Sequence, residues 1–218
     1  MNTIAASRRS AAVPEATAKS ECYDRVMKAM HWVTLFLVAA AYAVVWASSA
    51  AATKEQNALL VQIHRSLGIT IFVLTLFRLA WRSRARLPGL PADLPPIQIM
   101  AARATQYLLY ALLLVQPMLG LLHSIASGAR IDLFFVIQLP AMMGQDKVLS
   151  KTAISAHELV AYVMLFVVAV HAAAALFHHL VRRDGVMKAM LPGCPVLKRQ
   201  RKPIAVVAQH SVQVVASR

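Results

Sequence analysis

Four apolar blocks, near Met30–Ser49, Gln62–Trp81, Thr105–Ile125 and Ile154–Leu180, constrain this chain more than any other feature. Each is close to the ~20 residues a helix needs to cross a hydrocarbon core. In lipid, backbone N–H and C=O groups must be paired within the segment itself, so helices are the expected form. The short alternating segments of a barrel are not seen. The expected fold class is an all-α integral membrane protein, a four-transmembrane-helix up-and-down bundle in one domain.

The formal charge of +14 sorts by loop. Residues 1–30 hold five Lys/Arg against three acids, residues 78–103 five against one, and residues 182–218 eight against one. With four crossings these three segments share one side, and the excess of Lys/Arg assigns that side to the cytoplasm. The charge therefore sets topology, with anionic membrane lipid as its expected contact and no nucleic acid as partner. Residues 1–22 lack the apolar core of a signal peptide and read as a disordered cytoplasmic N-terminus, so the first helix serves as its own insertion signal. Residues 23–192 form the membrane domain, and the basic tail 193–218 reads as disordered. Cys22 and Cys194 fall in the cytoplasmic flanks, where thiols stay reduced. Neither shows zinc-ligand spacing or an evident disulfide partner. Four prolines in 82–96 break the second helix, and RIDLFFVIQLP in the outer loop 126–151 is too short to span, so it is expected along the interface.

Seven of the eight histidines lie in or at the ends of the apolar blocks. Ionisable groups in a bilayer are costly and mark function. A lone histidine there most often makes a helix–helix hydrogen bond, but several at matched depths ask for another explanation. In HELVAYVMLFVVAVH, His157 and His171 are fourteen residues apart. At 100° per residue they fall within ~40° of one another, ~21 Å apart along the axis. Antiparallel packing sets His64, near the outer end of helix 2, level with His157. It sets His31, near the inner end of helix 1, close to the level of His171. Two facing imidazole pairs at different depths suit two bis-histidine haems. Zinc or di-iron would want three or four ligands at one level, with carboxylates, and the helices offer only Glu158. Covalent c-type attachment needs C-x-x-C-H, which is absent, so the haems are expected to be non-covalent haem b.

Two histidines compete as ligands. His178 shares the face of His171 and is near the depth of His31, but pairing it puts the irons ~31 Å apart along the helix, which disfavours electron transfer. His123, at the outer end of helix 3, competes with His64 and otherwise reads as an interfacial or packing residue. Arg78, fourteen residues after His64, shares its face one level further in. It is either a partner for haem propionates or a snorkelling arginine. Arg82, His178 and His179 are candidates to line the same inner mouth. Gly68 and Gly120 allow a bulky macrocycle near the backbone or serve plain helix packing.

MHW on helix 1, HRSLG followed by FRLAWR on helix 2, and HELVAY with HAAAALFHH on helix 4 resemble the bacterial cytochrome b561 family, from about Tyr23 to Pro192. The resemblance implies a four-helix inner-membrane protein with two b-type haems. It implies His31 with His171 as the inner pair of iron ligands and His64 with His157 as the outer pair, and so selects His171 over His178. One departure is Gln106, which stands where such proteins often carry a histidine on helix 3. The resemblance further implies an oxidoreductase that passes electrons from superoxide to bound ubiquinone. Arg65, Arg130, Lys147 and Lys151 are the outer cations available to steer superoxide, though Asp132, Asp146 and Glu158 nearly neutralise them. His178 or His179 would relay protons to the quinone. The alternative is an electron-carrier subunit that links a dehydrogenase or hydrogenase partner to the quinone pool. A haem-free transporter or scaffold is a third class.

Overall fold

A computed structural model of the protein describes residues 22–85, 87–88, 94–128, 131–140 and 144–194. Four helices, α1 (Arg25–Ser49), α2 (Lys54–Arg82), α3 (Pro96–Ala126) and α4 (Lys147–Phe177), are long and apolar enough to cross a membrane. The shortest has 25 residues and so reaches ~37 Å. Each helix begins before its apolar block because the caps lie in polar sequence. The Met27 N–H donates to Asp24 Oδ1 at 2.8 Å, that of Gln56 to Thr53 Oγ1 at 3.2 Å, and that of Leu149 to Asp146 Oδ1 at 2.9 Å. Each such bond satisfies an orphan donor and is worth ~1 kcal/mol. Pro96 opens α3, where its missing N–H costs nothing.

Packing follows chain order: α1 lies on α2, α2 on α3 and α3 on α4, while α4 packs far less against α1 and α2. The buried apolar cluster takes Ala41 from α1, Ile71 from α2, Leu112 and Leu113 from α3, and Met164 and Val167 from α4. Met164 stands seven residues from both His157 and His171, so this layer separates the two histidine levels. Tyr42 ties α1 to α4 there, its hydroxyl donating to the Ala161 carbonyl at 2.6 Å. Large side chains such as Phe36, Phe77, Tyr162 and Phe166 are exposed. In lipid an outward apolar side chain costs nothing, so the periodicity of a soluble bundle is weak here.

The outer loop has a form that the sequence did not announce, and one expectation is corrected. The apolar piece of the outer loop is an antiparallel hairpin, β1 (Ile131–Leu133) with β2 (Ile137–Leu139), in the register Ile131↔Leu139 and Leu133↔Ile137. Ile131 and Leu133 are buried on either side of Asp132, the alternation of a half-buried strand. The turn runs through Phe134 and Phe135 at φ 54° and 62°, and the Phe134 N–H donates to Ser66 Oγ on α2 at 2.9 Å. The FF in the middle masks the alternation in the sequence. The correction concerns the cysteines. Cys22 and Cys194 are disulfide partners, their Cα atoms 6.2 Å apart across a sequence separation of 172. The pairing arises because the chain does not run away from the bundle after α4. It passes through a π-helical turn, His178–Arg182, reverses at Arg183 in the left-handed region (φ 54°), and returns along the start of α1. Apart from Cys22, Gly193 and Cys194, the flanks expected to be disordered (1–22 and 193–218) lie outside the described residues, as does Arg130.

Candidate functional site

His31 on α1 faces His171 on α4 with ring centroids 6.3 Å apart, and His64 on α2 faces His157 on α4 at 6.1 Å. A metal ion held end-on between two imidazoles, at ~2 Å for each metal–nitrogen bond, places the ring centres roughly 6 Å apart. Both pairs therefore stand at a separation that would admit a metal ion between them, at two depths on one face of α4. Among the described residues no three His, Cys, Asp or Glu side chains converge on one point. Each level therefore offers two facing imidazoles.

The outer pair is fixed by its second nitrogens. His64 Nδ1–H donates to the Ala41 carbonyl at 3.0 Å, and His157 Nδ1–H to the Gln116 carbonyl at 3.0 Å. With Nδ1 donating, each Nε2 carries the free lone pair, and an Nδ1–H held on a carbonyl is how a metal-ligating histidine commonly anchors its remote nitrogen. Gln116 also donates its side-chain amide to the His157 carbonyl at 3.0 Å. Gly120, one turn on, lets the ring lie against the α3 backbone. A Cβ there would stand 3.0 Å from His157 Cε1 and 3.2 Å from Nδ1.

The inner pair differs. Arg78 Nη2 lies 3.2 Å from His31 Nδ1. A guanidinium only donates, so Nδ1 accepts and the ring proton resides on Nε2. Ligation through Nε2 and the Arg78 contact are therefore alternatives. His171 is exposed and stands more open than the other three. Around Arg78 is a cluster of donors. Arg78 and Arg82 both lie over the Tyr110 ring, 5.4 and 6.0 Å from its centroid, and Arg82 donates to Gln106 Oε1 at 3.1 Å. Arg78 Nε, Arg82 Nη1 and the Tyr110 hydroxyl are buried without a hydrogen-bond partner among the described residues. Unpaired buried donors at two guanidiniums fit an anionic group. Gln106, the departure noted in the sequence, supplies an acceptor that holds Arg82 in place.

The other candidates lie elsewhere. His123 Nδ1 is 3.1 Å from both the carbonyl and the hydroxyl of Ser150, so it ties α3 to α4. His178 Nδ1–H donates to Asp184 Oδ2 at 2.6 Å, and His179 Nδ1 is buried without a partner among the described residues. Lys147, Lys151 and Glu158 are exposed at the outer end of α4. Sequence reasoning missed Gln116, Tyr110 and Asp184. Gln116 next to Pro117 in a helix, and a tyrosine facing two arginines, are signals only once the register of α3 against its neighbours is known.

A family model described as prokaryotic cytochrome b561 matches residues 22–193, the whole membrane part. The chain belongs to the prokaryotic cytochrome b561 family. It is a membrane electron carrier of a b-type haem-binding family. Cytochrome b561 homolog 1 of Escherichia coli K12 is 29% identical over 167 residues, covering 75% of this chain and 93% of that relative. Cytochrome b561 homolog 2 of the same organism is 27% identical over 172 residues, covering 78% and 92%. The probable superoxide oxidase CybB of Yersinia pestis is 28% identical over 173 residues, covering 78% and 96%.

In this cytochrome b561 the segment after α4 carries its own pH dependence. Burial alone would raise the Asp184 carboxyl. The His178 hydrogen bond, the Val186 N–H at 3.1 Å and Arg182 Nε at 3.2 Å outweigh it and hold the group below its ordinary value of 3.8. A depressed carboxylate stabilises the fold above its unfolded pKa, and that stability is lost as pH falls through the folded value. Residues 183–194 are therefore expected to stay docked from neutral pH down to about 4 and to loosen only below it. Hydrogen exchange of this segment across that range checks the expectation, with Asp184→Asn exchanging fast at neutral pH.

Proposed function

We propose that this protein is a dihaem b-type cytochrome of the bacterial inner membrane, with both chain ends cytoplasmic, that carries electrons from superoxide to ubiquinone. The observation that carries the reading is the pair of facing imidazoles at each of two depths on α4, at 6.3 and 6.1 Å, with the outer pair anchored through Nδ1. His31 with His171 and His64 with His157 would hold the two haems. Haem bound there supplies one-electron redox chemistry. Every other task falls to the chain. The layer of Ala41, Ile71, Leu112, Leu113, Met164 and Val167 keeps water from between the two levels. Were Nε2 of His31 to hold a haem iron, Nδ1 would carry the ring proton and Arg78 would lose its acceptor. Its guanidinium would then be available, with the unpaired donors of Arg82 and Tyr110, to hold a propionate.

Two superoxide ions each give up one electron and leave as dioxygen, and one quinone takes both electrons with two protons. His178, paired to Asp184, and His179, whose Nδ1 has no partner among the described residues, would pass those protons at the inner end. The name carried by the Yersinia pestis relative supports superoxide as donor, and the Arg65 side chain next to His64 offers an outer cation.

Stopped-flow mixing of the purified, haem-replete protein with superoxide tests the reading. The expected result is reduction of the haem Soret and α bands with no second protein, followed by reoxidation on adding ubiquinone. Reduction that appears only with a dehydrogenase or hydrogenase partner would instead assign the protein as a carrier subunit.

A further inference from the structure

Residues 184–194 form a strap beneath the inner end of the bundle, held to the start of α1 by backbone and side-chain contacts. The Tyr23 N–H donates to the Ala189 carbonyl at 3.2 Å, Trp32 Nε1–H to the Met190 carbonyl at 3.2 Å, and Lys28 Nζ to the Cys194 carbonyl at 2.9 Å. Where it docks, Met27, Lys28, Met30 and Cys22 are buried, with Ala189 of the strap itself. Gly193 sits at φ 90°, a backbone that L side chains rarely adopt, and this turn brings Cys194 onto Cys22. Their Cα separation of 6.2 Å lies within the range a disulfide spans without moving the backbone. Asp24, two residues from Cys22, also takes the Trp81 Nε1–H of α2 at 3.3 Å. One thiol pair thus closes a junction of α1, α2 and the strap beside His31 and Arg78.

We propose that Cys22 and Cys194 are a thiol–disulfide exchange site whose redox state locks or releases the strap. The chemistry balances with a low-molecular-weight disulfide such as oxidised glutathione as co-reactant. One cysteine thiolate attacks a sulfur of that disulfide, forming a mixed disulfide and expelling one thiolate. The second cysteine then attacks the mixed disulfide, closes the Cys22–Cys194 bond and expels the second thiolate. The chain loses two electrons and two protons, and the co-reactant gains them as two thiols. A dithiol reductant runs the same steps backward. The short contacts that remain after reduction, three hydrogen bonds and the Asp184 clasp, leave the strap docked but able to open locally. Opening uncovers Met27, Met30 and Trp32, which flank His31 on α1. Where a quinone is reduced at the inner mouth, a consequence that rests on the function proposed above, strap opening sets how freely it is reached.

Membranes holding the full chain, equilibrated in buffers of graded reduced-to-oxidised glutathione and probed with a maleimide-polyethylene glycol, provide the test. The expected result is that both thiols become reactive together at one midpoint, and that trypsin cuts at Lys188 about tenfold faster in the reduced protein, a change equivalent to ~1.4 kcal/mol of local opening. Cys22→Ser and Cys194→Ser should each match the reduced wild type whatever the buffer. Two thiols that label independently in every buffer, or equal cleavage of the oxidised and reduced wild type, would overturn the proposal. Labelling and cleavage need no haem turnover, so they stand or fall apart from the superoxide assay. Slower quinone reduction in the oxidised wild type than in the reduced protein is expected only where that assay succeeds.

Discussion

On the dihaem reading proposed above, replacing His157 by alanine is expected to cut bound haem from two per chain to about one, with the bis-histidine spectrum of the remaining haem unchanged. The outer pair stands at 6.1 Å with each Nδ1–H already committed to a carbonyl, so His64 keeps its orientation when its partner is removed. A single imidazole then faces the methyl group of alanine, and one of the two nitrogens that would hold the haem iron is lost. His64→Ala should give the same result, and His64→Ala with His157→Ala should lose no more than either change alone. Residues that hold one group between them are not additive. Replacing His31 or His171 should remove the inner haem in the same way and leave the outer one. His123→Ala and His178→Ala are the discriminating controls, because their rings are engaged by Ser150 and Asp184 and not by another imidazole. Both should retain two haems. Haem quantitation by pyridine haemochrome against protein concentration measures all of these. Two haems in His157→Ala, or one in His178→Ala, would refute the assignment.

The parts of this site that could be read from sequence were those fixed by one helix or by depth. The spacing of His157 and His171 needs only 3.6 residues per turn, and the level of His31 and His64 needs only alternation of direction across four crossings. Lipid makes those two constraints strong, since spans must be helical and connections short. What stayed hidden depended on the rotation of one helix against another. Gln116 reaches the His157 carbonyl, and Tyr110 sits under Arg78 and Arg82, because α3 turns that face inward. Exposed apolar side chains are as comfortable in lipid as buried ones, so hydrophobic periodicity could not reveal that rotation. The disulfide was illegible for a different reason. Cys22 and Cys194 are brought together by a reversal at Arg183 and a second turn at Gly193; Asp184-Gly185 and Pro192-Gly193 signal turns, but no local pattern says that the chain returns to the start of α1. The hairpin was hidden because two phenylalanines occupy its turn, where glycine or asparagine would have signalled one.

The two glycines near the outer histidines are expected to fail in different ways. At Gly120 a Cβ meets His157 Cε1 at 3.0 Å, so the ring must move by a few tenths of an ångström. It has little room to do so. Its Nδ1–H is bound to the Gln116 carbonyl, and its own carbonyl is held by the Gln116 side chain, both from the same turn of α3. Moving the ring breaks the first bond, and moving α3 disturbs its packing on α4. Overpacking of this kind costs about 1–3 kcal/mol. Gly120→Val should therefore weaken the outer haem roughly ten- to a hundredfold and lower the stability of the haem-free protein as well, while Gly120→Ala should do both to a smaller degree. At Gly68, one turn after His64, a Cβ would meet no atom within 4 Å. Gly68→Ala should leave the haem-free protein as stable as wild type, or slightly more so, because alanine favours a helix by ~1 kcal/mol over glycine. If the macrocycle lies over that turn, Gly68→Ala will lower haem content without any loss of apoprotein stability. Thermal unfolding of haem-depleted protein beside haem titration separates the cases. A Gly68→Ala protein that binds two haems with wild-type affinity would place the outer macrocycle away from this turn of α2. The same result for Gly120→Val would mean that His157 does not need its present contact with α3 to hold iron.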